Sequence, residues 1–145
     1  IAYWPAHIPA NKVNNTSVMS VVDFVPTICA LTGTKMADSY QSDGFDRSKI
    51  LLGSTKETTN DIYWYYLNKP LPGKMENISP ALAMRSGNWK LLMEPDGSNQ
   101  QLYNLEKDQQ EKDNVFNKEK EIVERLSAKL SEWYQQNVKG YKSGN

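Results

Sequence analysis

The sequence is poor in the residues that build metal centres and nucleophile–base pairs: its 145 residues include one cysteine and one histidine. A single cysteine excludes an intrachain disulfide and a zinc site made of paired cysteines. A single histidine excludes a His-x-x-x-His helix or a histidine cluster. Cys29 lies in the apolar run Pro26-Thr27-Ile28-Cys29-Ala30-Leu31 and reads as a buried, inert thiol, free cysteine being among the most buried residues. His7 sits in an unrelated segment, so no Cys–His pair can be drawn. Neither charge sign is in excess, with 17 Lys plus Arg against 17 Asp plus Glu. Nothing here is built to grip nucleic acid or an anionic membrane. No apolar run approaches the roughly 18 residues that span a bilayer, and no signal peptide opens the chain. The opening Ile1-Ala2-Tyr3-Trp4 has no initiator Met and reads as a strand cut from something longer, so the missing signal says little about compartment.

What is present is periodicity. Val21, Val22, Val25, Ile28, Cys29 and Leu31 recur at helical spacing, predicting a helix over 21–32 with Asp23 as its cap, Pro26 in the first turn and Gly33 at its end. Asp43-Gly44-Phe45-Asp46 is a turn, and Asp46 caps a short helix over 46–52. Ile62-Tyr63-Trp64-Tyr65-Tyr66-Leu67 carries the strongest strand signal, with rings on both faces; one face is expected in the core, the other against a partner domain or loop. The hairpin around Ser86-Gly87-Asn88 follows, with Arg85 and Lys90 flanking its turn. Strands are expected at 61–67, 81–86, 89–94 and 101–105, then a helix over 118–136 whose residues Ile122, Val123, Leu126, Leu130, Trp133 and Tyr134 form one stripe. Sequential strands joined by short turns make an antiparallel meander. With the long helix on one face the fold class is α+β, and the tail 139–145 is expected to be flexible.

Five segments together resemble the C-terminal portion of the formylglycine-dependent sulfatases, in the branch of arylsulfatase A and N-acetylgalactosamine-6-sulfatase within the alkaline phosphatase superfamily. Tyr3-Trp4-Pro5-Ala6-His7-Ile8 is similar to that family's Trp-Pro-Gly-His segment, with Ala6 in place of Gly. Val21-Val22-Asp23-Phe24-Val25-Pro26-Thr27 resembles its Asp-x-x-Pro-Thr helix start, and Asp43-Gly44-Phe45-Asp46 with Leu51-Leu52-Gly53 resembles its Asp-Gly-x-Asp…Leu-Leu-x-Gly segment. Met84-Arg85-Ser86-Gly87-Asn88-Trp89-Lys90-Leu91 is similar to its Arg-x-Gly-x-Trp-Lys hairpin. Leu102-Tyr103-Asn104-Leu105-Glu106-Lys107-Asp108, with Glu111 and Asn114 behind it, resembles its Leu-Tyr-Asp-Leu…Asp-Pro-x-Glu…Asn stretch, with Gln109 where Pro is usual.

The resemblance implies a parent protein that hydrolyses sulfate esters, using a formylglycine nucleophile and calcium. It also implies a periplasmic, extracellular or lysosomal setting. Residues 1–60 would end the α/β main domain, and 61–138 would form the C-terminal sheet-and-helix subdomain. The partner implied is the N-terminal catalytic domain of the same protein, and the ligand a sulfated substrate such as a glycan. Self-association through the N-terminal strand is a further expectation. The formylglycine signature Cys-x-Pro-x-Arg is not met at Cys29, which Ala30, Leu31, Thr32 and Gly33 follow, so no catalytic or metal role falls on any residue here and the chain alone is expected to be inactive. The substrate-rim candidates are Tyr66, Lys74 and Arg85, around the loop 68–77, since rings suit sugar faces and Lys or Arg suits sulfate. Two other readings stay open: a stand-alone glycan-binding or interaction module using Trp64, Tyr65 and Tyr66 as a platform, and a fragment of a related phosphodiesterase or phosphonate hydrolase.

Overall fold

The computed structural model describes residues 1–53, 60–66 and 79–139. It divides into two compact units, Ile1–Thr59 and Asn60–Asn145.

In the first unit the backbone of Ile1 to Trp4 joins no strand among the described residues, and Tyr3 is exposed. The strand expected there does not form, because extended backbone becomes a strand only when a neighbour accepts its hydrogen bonds, and this unit offers none. The chain turns instead: the His7 and Ile8 N–H groups both donate to the Trp4 carbonyl, at 3.1 and 2.9 Å, and the His7 ring stacks on the Trp4 indole at 4.0 Å. Ala6 sits in this turn at φ 65°, in the left-handed region that glycine enters more cheaply.

A short 3₁₀ turn, Val21–Asp23, leads into α1 (Phe24–Thr32), which ends at Gly33 with φ 69°. Asp23 is not an ordinary cap, since its φ of −76° and ψ of −14° are already helical. Its carboxylate accepts instead from the Ser20 N–H at 2.9 Å, the Phe45 N–H at 2.8 Å and the Arg47 Nε at 3.2 Å. Beside it the Thr27 hydroxyl accepts from the Arg47 N–H at 2.9 Å. Asp23, Thr27 and Arg47 are all buried, so this polar network is the interior of the unit. It pins the turn at residues 43–46 against the start of α1 so closely that a Cβ on Gly44 would stand 2.0 Å from the Val22 carbonyl oxygen; only glycine fits. Asp46 then accepts from the Ser48 N–H at 2.7 Å, but the short helix expected over 46–52 is only α2 (Ser48–Leu51), with Arg47 rather than Asp46 at its N-cap position. The apolar stripe expected to be buried along α1 is mostly outside: Val21 is 78% and Ile28 54% exposed, and Cys29 is half-buried. Among the described residues of this unit the interior is made of polar side chains and of α1's own Pro26, so little apolar surface is there to cover that stripe.

The second unit is the meander. Strands β1 (Ile62–Tyr65), β2 (Leu82–Ser86), β3 (Trp89–Met93) and β4 (Gln101–Asn104) pair antiparallel in sequence order, and α3 (Lys120–Asn137) lies on one face. Element types and order agree with the sequence reading. The two-residue turn Gly87-Asn88 has positive φ at Gly87 alone, 57°, which belongs to the II′ class whose twist suits a hairpin. Side chains alternate across the sheet, so Leu82 and Met84, Leu91 and Met93, and Leu102 all face α3 and are buried under Val123, Leu126 and Leu130. Tyr63 stacks on Trp133 at 5.1 Å, and Tyr65 meets Tyr134 at 5.6 Å. The Leu102 N–H donates to the Asn114 side chain at 3.0 Å, and its carbonyl accepts from the Val115 N–H at 2.9 Å. The charged segment after β4 thereby covers the sheet's outer edge rather than wandering free. The loop 68–77 and the tail from 140 lie outside the described residues.

Two outcomes follow. Leu126→Ala, at a fully buried position, should lower unfolding free energy by about 2–5 kcal/mol, read by urea denaturation followed at the helix CD band. Asp23→Asn should cost about 3–5 kcal/mol by leaving the Arg47 guanidinium buried and unpaired. Burial opposes ionisation of Asp23, yet the Phe45 and Ser20 N–H groups and Arg47 outweigh it and hold its carboxyl below the usual carboxylate value. Its stabilisation is therefore complete above about pH 4, the unfolded value, and is lost as pH falls through the lower folded one. Acid unfolding of the wild type against Asp23→Asn reads this; parallel acid limbs would contradict it.

Candidate functional site

The same alternation that buries one face of the sheet sends a second set of side chains to the other. Trp64 and Tyr66 leave that face at the edge formed by β1, Ala81, Ala83 and Arg85 from β2 and its approach, and Lys90 and Leu92 from β3. Trp64 pairs with Ala83 and Ala83 with Leu92, so a one-carbon side chain separates two large ones. The two alanines form the floor of an open groove of about 430 Å³, walled by Trp64 and Tyr66 on one side and Leu92 and Leu105 on the other. Trp64 is 43% and Tyr66 66% exposed, so both rings present faces to solvent.

Three charges rim the groove. The Lys90 Nζ donates to both Glu111 carboxylate oxygens, at 2.6 and 2.7 Å, and the two side chains are half-buried. Glu111 holds this position with its backbone at φ 55°. Arg85 pairs with Lys90 across the strands, and its Nε donates to the Gly87 carbonyl at 3.0 Å. Among the described residues Arg85 is in no ion pair. Tyr103, beside Lys90 on β4, has its phenol pushed up by burial and then by the Glu111 and Asp108 carboxylates, and remains a neutral hydroxyl that donates to the Gln101 side chain at 3.0 Å.

Tyr66 and Arg85, both named from the sequence, line this groove; Lys74 lies outside the described residues. The Trp64-Tyr65-Tyr66 platform is split by the pleat, since Tyr65 points to α3 while its two neighbours face the groove. Lys90, Glu111, Leu92 and Leu105 were not read as site residues. Strand alternation could have placed Lys90 and Leu92, but the return of Glu111 over the sheet left no local signal. Among the described residues no three His, Cys, Asp or Glu side chains gather to hold a metal ion. Among the described residues no helix is long and apolar enough to cross a membrane.

Residues 1–136 match the family model described as "N-sulphoglucosamine sulphohydrolase, C-terminal". The chain is 30% identical over 90 residues to arylsulfatase A of Homo sapiens, covering 62% of this chain and 16% of that protein. It is 28% identical over 133 residues to the N-acetylgalactosamine-6-O-sulfatase of Bacteroides thetaiotaomicron, covering 90% of this chain and 26% of that one. Among solved structures, Ps i-CgsB in complex with k-i-k-neocarrahexaose superposes with a TM-score of 0.68 at 26% identity, over 93% of this chain and 28% of the other. The chain thus spans about a quarter or less of the length of these curated relatives.

Because the Lys90–Glu111 pair is half exposed, Glu111→Gln should lower stability by less than about 1 kcal/mol. Urea unfolding at low and high salt should show the small difference shrinking as salt rises.

Proposed function

The chain belongs to the N-sulphoglucosamine sulphohydrolase C-terminal family, and from that premise we propose that it is the C-terminal part of a sulfuric ester hydrolase that seats on a catalytic domain and lends its sheet groove to the substrate pocket. The observation that carries this is the match of one sulfatase family model to residues 1–136, nearly the whole chain. The exposed apolar side chains of unit one, Val21, Phe24, Val25 and Ile28, support the seating: a surface of this kind is normally covered. The partner is the catalytic domain of the same polypeptide, and the working setting is periplasmic, extracellular or lysosomal, as for the family this chain resembles.

Hydrolysis of a sulfate ester requires an attack on sulfur and stabilisation of the negative charge that develops on its oxygens. In the sulfatases that this chain resembles, a formylglycine and calcium supply that chemistry when present. Cys29 lacks the modification signature, and among the described residues no cluster of three His, Cys, Asp or Glu side chains gathers. The contribution of this chain is binding and orientation. Trp64 and Tyr66 offer flat apolar faces, and Arg85 offers a planar cation matched to a sulfate oxygen pair. A sulfated saccharide is the substrate class this combination suits, and the neocarrahexaose held by one structural neighbour supports it.

Calcium-dependent hydrolysis of 4-nitrophenyl sulfate separates the parts. The full-length polypeptide that carries this chain should turn it over, and the 145-residue chain should not. Turnover by the short chain, or cleavage of phosphate but not sulfate esters by the long one, would sink the reading.

A further inference from the structure

We propose that Asn14 is a modification site, the acceptor of an N-linked glycan in the loop that leads to the 3₁₀ turn of the first unit. The inference rests on the extracellular or lysosomal setting given above, because the glycan donor, an oligosaccharide carried on a lipid diphosphate, is met in a secretory pathway.

The acceptor pattern Asn-x-Ser/Thr occurs three times, as Asn14-Asn15-Thr16, Asn15-Thr16-Ser17 and Asn77-Ile78-Ser79. Asn77 lies outside the described residues. The first two patterns overlap, so a glycan on one asparagine crowds the other, and local geometry decides between them. Residues 9–16 are all exposed and belong to neither helix nor strand. A transferase can therefore reach the chain there, and a bulky, hydrated glycan stands in water afterwards.

The geometry favours Asn14. Its Oδ1 accepts from the Thr16 N–H at 3.1 Å and the Ser17 N–H at 2.9 Å, which makes an Asx turn. The Thr16 hydroxyl donates to the same oxygen at 3.4 Å. The two groups that the pattern requires, a carboxamide and a hydroxyl two residues on, thus stand together before any enzyme binds. Less conformational entropy is lost when a transferase takes hold of both. The Asn14 Nδ2 donates to the Ser17 hydroxyl at 3.0 Å, an exposed contact that water replaces at little cost. Among the described residues these bonds all fall on the Asn14 carboxamide and none on that of Asn15.

In the transfer, Nδ2 bonds to the anomeric carbon of the first sugar as the bond from that carbon to the diphosphate oxygen breaks. The lipid diphosphate leaves with the electron pair, and Nδ2 gives up one proton. Hydrogen bonds donated to Oδ1 draw electron density out of the amide and ease that loss. Oδ1 is unchanged in the product, so the Asx turn that shapes the loop survives the modification.

Secretion of the 145-residue chain from cultured mammalian cells, behind a cleavable signal peptide, tests this. Peptide N-glycosidase leaves an aspartate where a glycan stood, and mass-spectrometric mapping should place that mark at position 14 in most of the secreted chain. The same chain made without the signal peptide should carry no mark. Asn14→Gln and Thr16→Ala should each abolish it, and Thr16→Ser, which keeps a hydroxyl, should retain it in part. Asn15→Gln and Ser17→Ala, which remove only the overlapping pattern, should leave it in place. A chain secreted without a glycan would overturn the proposal, as would a glycan on Asn15 or Asn77 with position 14 bare, or a mark that survives Thr16→Ala. The mapping does not read hydrolysis, and aryl sulfate turnover does not read the glycan, so the failure of either proposal leaves the other standing.

Discussion

Burial of one face of the meander beneath α3 is the constraint on which the second unit depends. Leu82, Met84, Leu91 and Leu102 are removed from water by Leu126 and Leu130, and these apolar contacts are the main stabilising term available to so small a sheet. The side-chain period of a strand is two, so committing these residues to the core commits Ala83, Arg85, Lys90 and Leu92 to the opposite face without further choice. The groove is a consequence of the core. A slip of β2 by one residue against β3 would turn Arg85 into the core and Met84 out of it, at a cost that excludes it.

The first unit is organised by the reverse arrangement. Its interior is polar, built on the Asp23 carboxylate and the three N–H groups that point at it, while its apolar side chains lie outside. A buried ion pair contributes little net stability once desolvation is counted, but it is directional: Arg47 and Phe45 must be where Asp23 can reach them. That requirement accounts for the glycine at 44, where the two segments pass too closely for a side chain. It also explains the Asp, Thr, Gly and Arg of this unit as one network rather than as separate caps and turns. The Trp4–His7 turn is a smaller instance, closed by two hydrogen bonds and a ring stack around an alanine in a conformation that glycine favours.

Much of the fold was legible because its signals are local. The stripe from Ile122 to Tyr134, the Ser86-Gly87-Asn88 turn and the aromatic run at 62–66 each report a period or a turn that a few neighbouring residues decide, and the elements stand where those signals put them. Where the reading went astray, a distant partner was at work. Asp23 has the sequence position of a helix cap, yet its carboxylate turns to Phe45 and Arg47, more than twenty residues away. Ile1 to Trp4 has strand composition, but a strand also needs a neighbour. Two of the three rim candidates line the groove because they sit on its face of β1 and β2. Glu111 was invisible because only the folding of the charged segment back over β4 brings it to Lys90.

By itself the sequence determined the class and order of the elements, the α+β layering of the second unit, and the ordered set of motifs that marks the sulfatase C-terminal family. Periodicity, turn chemistry and residue spacing are properties of neighbouring residues and survive without coordinates. The tertiary structure alone decided that Tyr65 leaves the aromatic platform, that Lys90 is neutralised by Glu111, and that two alanines open a trough between larger side chains. Those facts depend on strand register and on contacts between residues far apart in sequence, and such contacts exist only once the core has closed.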